Sequence, residues 1–218
     1  MPDIKLNYRE CTNPDCRFRF PVPLERLSLH FCPKCGWELK TIQITKSEKK
    51  YLPPKSLDNS PVVEALLDNI RSSFNVGSIF RSADGAGLRK LHLCGITPTP
   101  ENPAIAKTSL GAENSVPWSS YPNAVQTVKE IKQMGFRILA LEKCARSCSI
   151  FEISNAFKAN PMLLIVGNEV SGVDPAVLDL SDKVTWIPMR GTKESLNVSI
   201  AFGIAAYILR FSSQSKAD

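Results

Sequence analysis

Two sets of residues in this sequence have the types and spacing to do chemistry, and the first is a group of cysteines. Cys11 and Cys16 in CTNPDC and Cys32 and Cys35 in CPKCGW form two pairs separated by fifteen residues. Thiolates presented from two tight turns across a hairpin-length spacer are the pattern of a four-sulfur zinc site. Gly36 lets the second turn aim backbone amides at a thiolate. No His or carboxylate stands where it would leave a coordination position open, so the expected role of the zinc is structural. A module of about forty-five residues is too small to bury a sufficient core, and metal binding can supply its folding energy. Between the pairs, Arg17, Phe18, Arg19, Phe20, Arg26, His30 and Phe31 could form a basic-aromatic face for nucleic acid. The arginines read best as binding residues and the phenylalanines as the core of the ribbon. Cys94, in the apolar run LHLCGI, is expected to be a buried small hydrophobe. Cys144 and Cys148 are assigned neither metal nor catalysis.

The second set is spread over three polar, glycine-bearing segments. In DNIRSSFNVGSIFRSADGAG a strand gives way through Asn75 and Gly77 to a helix carrying Arg81. In IVGNEVSG a strand ends in Gly167, Asn168 and Glu169, with Gly172 closing the turn. In IPMRGTKESLNVSIAFGIAAY a strand exits into a glycine-bearing loop, and Ser195 and Asn197 open a long apolar helix. Taken singly, each residue has an ordinary structural alternative: a helix cap for Asn75 and Ser195, a solvated helix face for Arg81. No G-x-G-x-x-G fingerprint follows the first strand and no Walker lysine loop occurs. With His30 and His92 the only histidines, no Ser/His/Asp set is available.

The elements that must position these residues follow from pattern and composition. Of 218 residues, 43% are hydrophobic and 22% charged, which fits a packed protein and excludes a disordered one. No apolar run approaches the roughly 20 residues that cross a bilayer, and the polar N-terminus carries no export signal, so no membrane contact and a cytoplasmic location are expected. The net charge is +6, and residues 1–50 hold ten Lys/Arg against six Asp/Glu. The basic excess therefore sits mainly in the first quarter, a weak pointer to a phosphate-rich partner. The expected organisation is a zinc-ribbon-like module over 1–45, a charged, proline-bearing linker over 46–61 and one large domain over 62–218. In that domain strand-like runs (VVEALLDNI, KLHLCGI, FRILALE, PMLLIVG, KVTWIPM) alternate with helical patterns, the last helix spanning Leu196 to Phe211. Such alternation predicts an α/β fold, a doubly wound, mostly parallel sheet covered on both faces. Its ligand site belongs at the carboxyl ends of the strands, where the three polar segments fall.

Together these segments resemble one family. N-x-G-x-x-x-R, G-N-E-x-x-G and I-P-M-x-G-x-x-x-S-L-N-V-S, in this order, are similar to the three motifs of the SpoU-type branch of the SPOUT RNA methyltransferases. The resemblance covers about residues 62–211 and leaves the cysteine module outside. It implies a C-terminal trefoil knot, against the usual unknotted rule, and S-adenosylmethionine held by the knot loops. Gly167, Ile187 and Leu196 would line the cofactor pocket, with Met189 adjacent. It further implies a homodimer through the knot region, with the first motif of one subunit near the cofactor of the other. The implied reaction is methyl transfer to a ribose 2′-hydroxyl of tRNA or rRNA. Arg81 matches the family's catalytic arginine; always protonated, it is better suited to a substrate phosphate or developing alkoxide than to the role of base. Asn75 would orient it, while Glu169, Ser195 and Asn197 would fix loops and substrate. Arg71 and Lys107 are candidate phosphate contacts, as readily solvated surface charges. The alternative is an RNA-binding or assembly protein that keeps the fold without turnover, against which the intact motif residues argue.

Overall fold

Strands that are apolar at nearly every position must be covered on both faces, and the pleat then sends alternate side chains to two different layers. In β4 (Val63–Asp68) the residues Val63, Ala65 and Leu67 enter one core, whereas Leu66 enters the other. In β9 (Met162–Gly167) Met162, Leu164 and Val166 divide in the same way from Leu163 and Ile165. The computed structural model describes residues 6–23, 28–42 and 61–212, and the chain divides into two compact units, 1–55 and 56–218. Arg26 and residues 46–60 of the expected linker lie outside the described residues.

In the first unit, β1 (Leu6–Cys11) is flanked by β2 (Arg19–Pro23) and β3 (Leu39–Ile42) in an antiparallel sheet of order β2-β1-β3. Register places Glu10 opposite both Arg19 and Lys40, and its carboxylate pairs with each, at 3.5 and 2.9 Å. The opposite face is buried and carries Arg9, Cys11 and Val22. The phenylalanines do not supply the core expected of them. Phe18 precedes β2 and is 37% exposed, and Phe31 is 60% exposed; only Phe20, in register with Arg9, turns partly inward.

The second unit adds α1 (Ser73–Ala86), β5 (Leu91–Cys94), α2 (Pro103–Ser109), β6 (Trp118–Tyr121), α3 (Ala124–Gln133), β7 (Arg137–Leu141), β8 (Cys148–Ser149) and α4 (Asn155–Lys158) around β4 and β9. It closes with α5 (Pro175–Leu180), β10 (Lys183–Trp186) and α6 (Val198–Phe211). Its seven strands run parallel in the order β6-β5-β4-β9-β7-β10-β8. Residues of α1 and α6, led by Ile79, Phe80, Phe202 and Leu209, form the first core; residues of α3 and α5, among them Val128, Ile131 and Val177, join the second. Cys94 is fully buried, and burial pushes its thiol up to about 12. The helix starts differ from expectation. Ser72, not Asn75, caps α1, accepting the Asn75 N–H, and α6 begins at Val198 with Asn197 as its cap, so Ser195 lies two residues outside.

Candidate active site

The carboxyl ends of β7, β9 and β10 open into a cavity of about 380 Å³. Leu141, Glu142 and Lys143 come from the end of β7, and Val166 to Val170 with Gly172 from the end of β9. The loop after β10 supplies Ile187, Met189, Glu194, Ser195, Leu196 and Asn197. Gly167, Ile187, Met189 and Leu196, the four residues expected to hold a cofactor, all line it. Gly167 is there because nothing larger fits. A Cβ at this position would stand 2.2 Å from the Val173 nitrogen and 2.4 Å from the Gly172 oxygen, where the turn folds back on the strand. Gly172, at φ +73°, makes that fold possible and closes it by mutual backbone hydrogen bonds with Asn168 at 2.9 and 3.0 Å.

At the rim of this cavity three of the five expected catalytic residues form one chain. The Glu169 carboxylate accepts the Arg71 N–H at 2.9 Å, the Ser72 N–H at 3.1 Å and the Asn75 side-chain amide at 2.9 Å. Burial would raise its pKa, but these donors hold it below the ordinary carboxylate value. The carboxylate therefore sits as an anion on the start of α1, where two main-chain donors point at it. Asn75 Oδ1 in turn accepts from Asn197 Nδ2 at 3.1 Å, and Asn197 Oδ1 accepts the Ser199 N–H at 2.9 Å and its hydroxyl at 2.7 Å. Residues more than 90 positions apart are thus fixed to one another by a few hydrogen bonds.

Ser195 lines the cavity, whereas Arg81 does not. It lies on the exposed side of α1, about 9 Å along the axis from Asn75 at 1.5 Å rise per residue. Arg71 and Lys107 are exposed as expected of phosphate contacts or of solvated charges. Glu142 and Lys143 belong to no motif of the sequence; the signal that marks them is position, since FRILALE ends on Glu142, Lys143 follows, and strand ends are where ligands bind.

In the first unit the Cys11, Cys16, Cys32 and Cys35 sulfurs all lie within 4.8 Å of one another, Cys11 to Cys35 at 3.4 Å and Cys16 to Cys32 at 3.9 Å. Four sulfurs at about 2.3 Å from a tetrahedral zinc stand about 3.8 Å apart, so the cluster has the size such an ion requires. The Lys34 N–H points at Cys32 Sγ at 3.4 Å, as the turn at Gly36 promised.

Residues 63–207 match the sequence model of the SpoU rRNA Methylase family. The chain belongs to that family. Among curated relatives, it is 33% identical over 144 residues to a tRNA (guanosine(18)-2′-O)-methyltransferase of Aquifex aeolicus, covering 64% of each chain. It is 31% identical over 147 residues to the putative TrmH family tRNA/rRNA methyltransferase YacO of Bacillus subtilis, covering 65% of this chain and 55% of the relative. The chain thus spans less than two thirds of the length of these relatives. Its fold is similar to that of an AdoMet-bound rRNA methyltransferase from Sinorhizobium meliloti, with a TM-score of 0.66 and 27% identity over 72% of this chain and 58% of the other. A TrmH/SpoU tRNA modifying enzyme of Aquifex aeolicus gives 0.61 and 31%, over 67% and 73%. The residues matched by the family model lie within the second unit, whose sheet is the α/β fold expected.

Proposed function

We propose that this protein is an S-adenosylmethionine-dependent RNA methyltransferase acting on a ribose 2′-hydroxyl of tRNA or rRNA. The observation that carries this reading is the convergence of three strand-end loops on one cavity with the Glu169–Asn75–Asn197 chain at its rim. Family relatives are named for ribose methylation of tRNA and rRNA, and a similar structure holds AdoMet. The cavity suits that cofactor by size and by lining: apolar walls from Leu141, Ile187, Met189 and Leu196, and bare backbone at Gly167. When bound, S-adenosylmethionine supplies an activated methyl group on a sulfonium.

The chain's own residues then have separable tasks. Gly167, Ile187, Met189 and Leu196 hold the cofactor. Glu169, held ionised by three donors, fixes Asn75, and Asn75 with Asn197 and Ser195 forms the edge against which a ribose is oriented. Arg81 carries a permanent charge suited to a substrate phosphate or to the oxygen as it loses its proton. Its place outside the cavity of its own chain favours the homodimeric arrangement, in which it serves the partner's site. Ile200 and Tyr207 of α6 are 55% and 48% exposed, as an interface through the knot region would require. The insertion of β9 between β4 and β7, and of β10 between β7 and β8, fits the trefoil-knotted path. In the first unit, Cys11, Cys16, Cys32 and Cys35 bind one structural Zn²⁺, and the exposed Phe18, Phe31, Arg17 and Arg19 contribute RNA contacts. The domains run over 1–45 and 62–218, joined by a linker over 46–61. A tRNA or rRNA substrate is consistent with a cytoplasmic location, and no described helix is long and apolar enough to cross a membrane.

Calorimetry tests the cofactor assignment. S-adenosylmethionine and its demethylated product should each bind once per chain. Binding of NAD with no binding of either would overturn it.

A further inference from the structure

Beneath the rim chain lies a second set of hydrogen bonds, centred on a carboxylate. Asp68 ends β4, in register between Cys94 of β5 and Gly167 of β9, and is 1% exposed. Its Oδ2 accepts the Asp174 N–H at 2.9 Å, and its Oδ1 accepts the Asn69 side-chain amide at 2.8 Å. Asn69, held at φ 58°, passes the connection on: its carbonyl accepts from Asn168 Nδ2 at 2.7 Å, and its own Oδ1 accepts the Ile96 N–H at 3.2 Å. Asn168 Oδ1 then accepts the Val170 and Ser171 N–H groups at 2.9 and 3.1 Å. Asp68 therefore secures both ends of the turn after β9, Asp174 directly and Asn168 through Asn69. That turn is one wall of the cavity.

A carboxylate placed this deep is costly unless its oxygens are used, and stability alone is better served by apolar residues. We propose that Asp68 is a positioning residue that holds the turn 168–174 in the shape that receives the cofactor. The role rests on the assignment of the cavity to S-adenosylmethionine. Polarity makes it specific: both partners of Asp68 are donors, so only a group with two acceptor oxygens satisfies them. Asp68→Asn has the same shape but must point an amide at an N–H or at Asn69 Nδ2. Exchanging the pair, Asp68→Asn with Asn69→Asp, restores an acceptor for every donor, including the Ile96 N–H.

The test measures S-adenosylmethionine affinity by calorimetry and hydrogen exchange of the turn amides in the full-length chain. Asp68→Asn should weaken binding about tenfold or more, the effect of one buried donor left without its acceptor, and speed exchange at Val170, Ser171 and Asp174. The exchanged pair should recover most of both. Glu64→Gln, at the far end of the same strand and also buried, should lower the melting temperature without changing affinity. If Asp68→Asn does not fold, Asn69→Gly keeps the positive φ, cuts the route to Asp68 and should also weaken binding. Wild-type affinity and exchange in either variant would overturn the role. So would an equal loss of affinity in Glu64→Gln, since destabilisation alone would then explain the effect. A wild-type chain that binds no S-adenosylmethionine would instead overturn the cofactor assignment, and this role with it.

Discussion

Glu169→Gln alters one atom of the rim chain, and its consequence can be worked through from the contacts. The carboxylate serves three donors, one on Oε2 and two on Oε1. A glutamine keeps an oxygen for Ser72 and Asn75 but turns its own amide toward the Arg71 N–H, or the reverse after a flip. One donor loses its acceptor in the first orientation and two in the second, so the first is adopted, at a cost of about 1–3 kcal/mol when buried. A further 0.3–1 kcal/mol, roughly, goes with the negative charge at the start of α1. Because Glu169 is exposed, water replaces part of what is lost, so the lower ends apply and the sum is about 1.3 kcal/mol. For a unit of this size that lowers the melting temperature by roughly 3–5 °C. The effect has a direction in pH. The folded-state pKa of Glu169 is depressed, so its contribution is present above the unfolded carboxylate value of 4.5 and fades as pH falls through the lower folded value. Thermal unfolding of both proteins from pH 7 to pH 3 measures this, and the gap should be widest at neutral pH and close on the acid side. Curves that coincide at pH 7, or a gap that widens in acid, would refute the assignment of Glu169 as the anionic clamp of α1.

Gly167→Ala should abolish detectable cofactor binding in calorimetry, because its Cβ meets the backbone of Gly172 and Val173, which cannot withdraw without opening the turn. Gly77→Ala places a Cβ 2.4 Å from the Ile105 carbonyl and 2.2 Å from the Thr108 hydroxyl, and should destabilise the second unit by about 1–3 kcal/mol in denaturant unfolding by forcing α1 from α2. Elemental analysis of freshly purified protein should find one zinc per chain, and Cys35→Ser should lose it together with the protection of β1–β3 amides from hydrogen exchange. Zinc-free protein with those amides still protected would count against a metal-dependent fold.

The paired cysteines and the three motif segments were legible because they are local: spacing alone brings two sulfurs into one turn, and a strand followed by glycine and a helix cap marks a loop at a sheet edge. The layer structure was legible too, since β9 is apolar throughout and β4 is apolar but for Glu64 and Asp68. Four short elements, α2, β6, β8 and α4, were not. They span two to seven residues and borrow their stability from neighbours, as α2 does where Gly77 lets it approach α1. The helix caps were displaced because Ser72 and Asn197 compete with equally good neighbours, Asn75 and Ser195, and tertiary partners decide. Asn75 was free to bond Glu169 and Asn197 only once Ser72 had taken the cap. The phenylalanines of the first unit misled for a related reason: hydrophobic type argues for burial, but Phe18 and Phe31 stand outside the alternation that turns Phe20 and Val22 inward. Asp68 carried no signal, for a single acid at the end of a strand gains its meaning from Asp174, 106 residues away, and from Asn69, whose own link runs on to Asn168.

Single-turnover transfer from methyl-labelled S-adenosylmethionine to a mixture of tRNA and rRNA tests most directly whether this chain methylates an RNA ribose. After digestion to nucleosides, label is expected on 2′-O-methyl ribose with the wild-type protein. With Arg81→Ala transfer should be nearly abolished, with cofactor affinity and melting temperature close to wild type, and Arg81→Lys should recover little, because the planar donor fork is gone. Label on a base, no label on any RNA with cofactor-competent wild-type protein, or wild-type transfer by Arg81→Ala would contradict this reading.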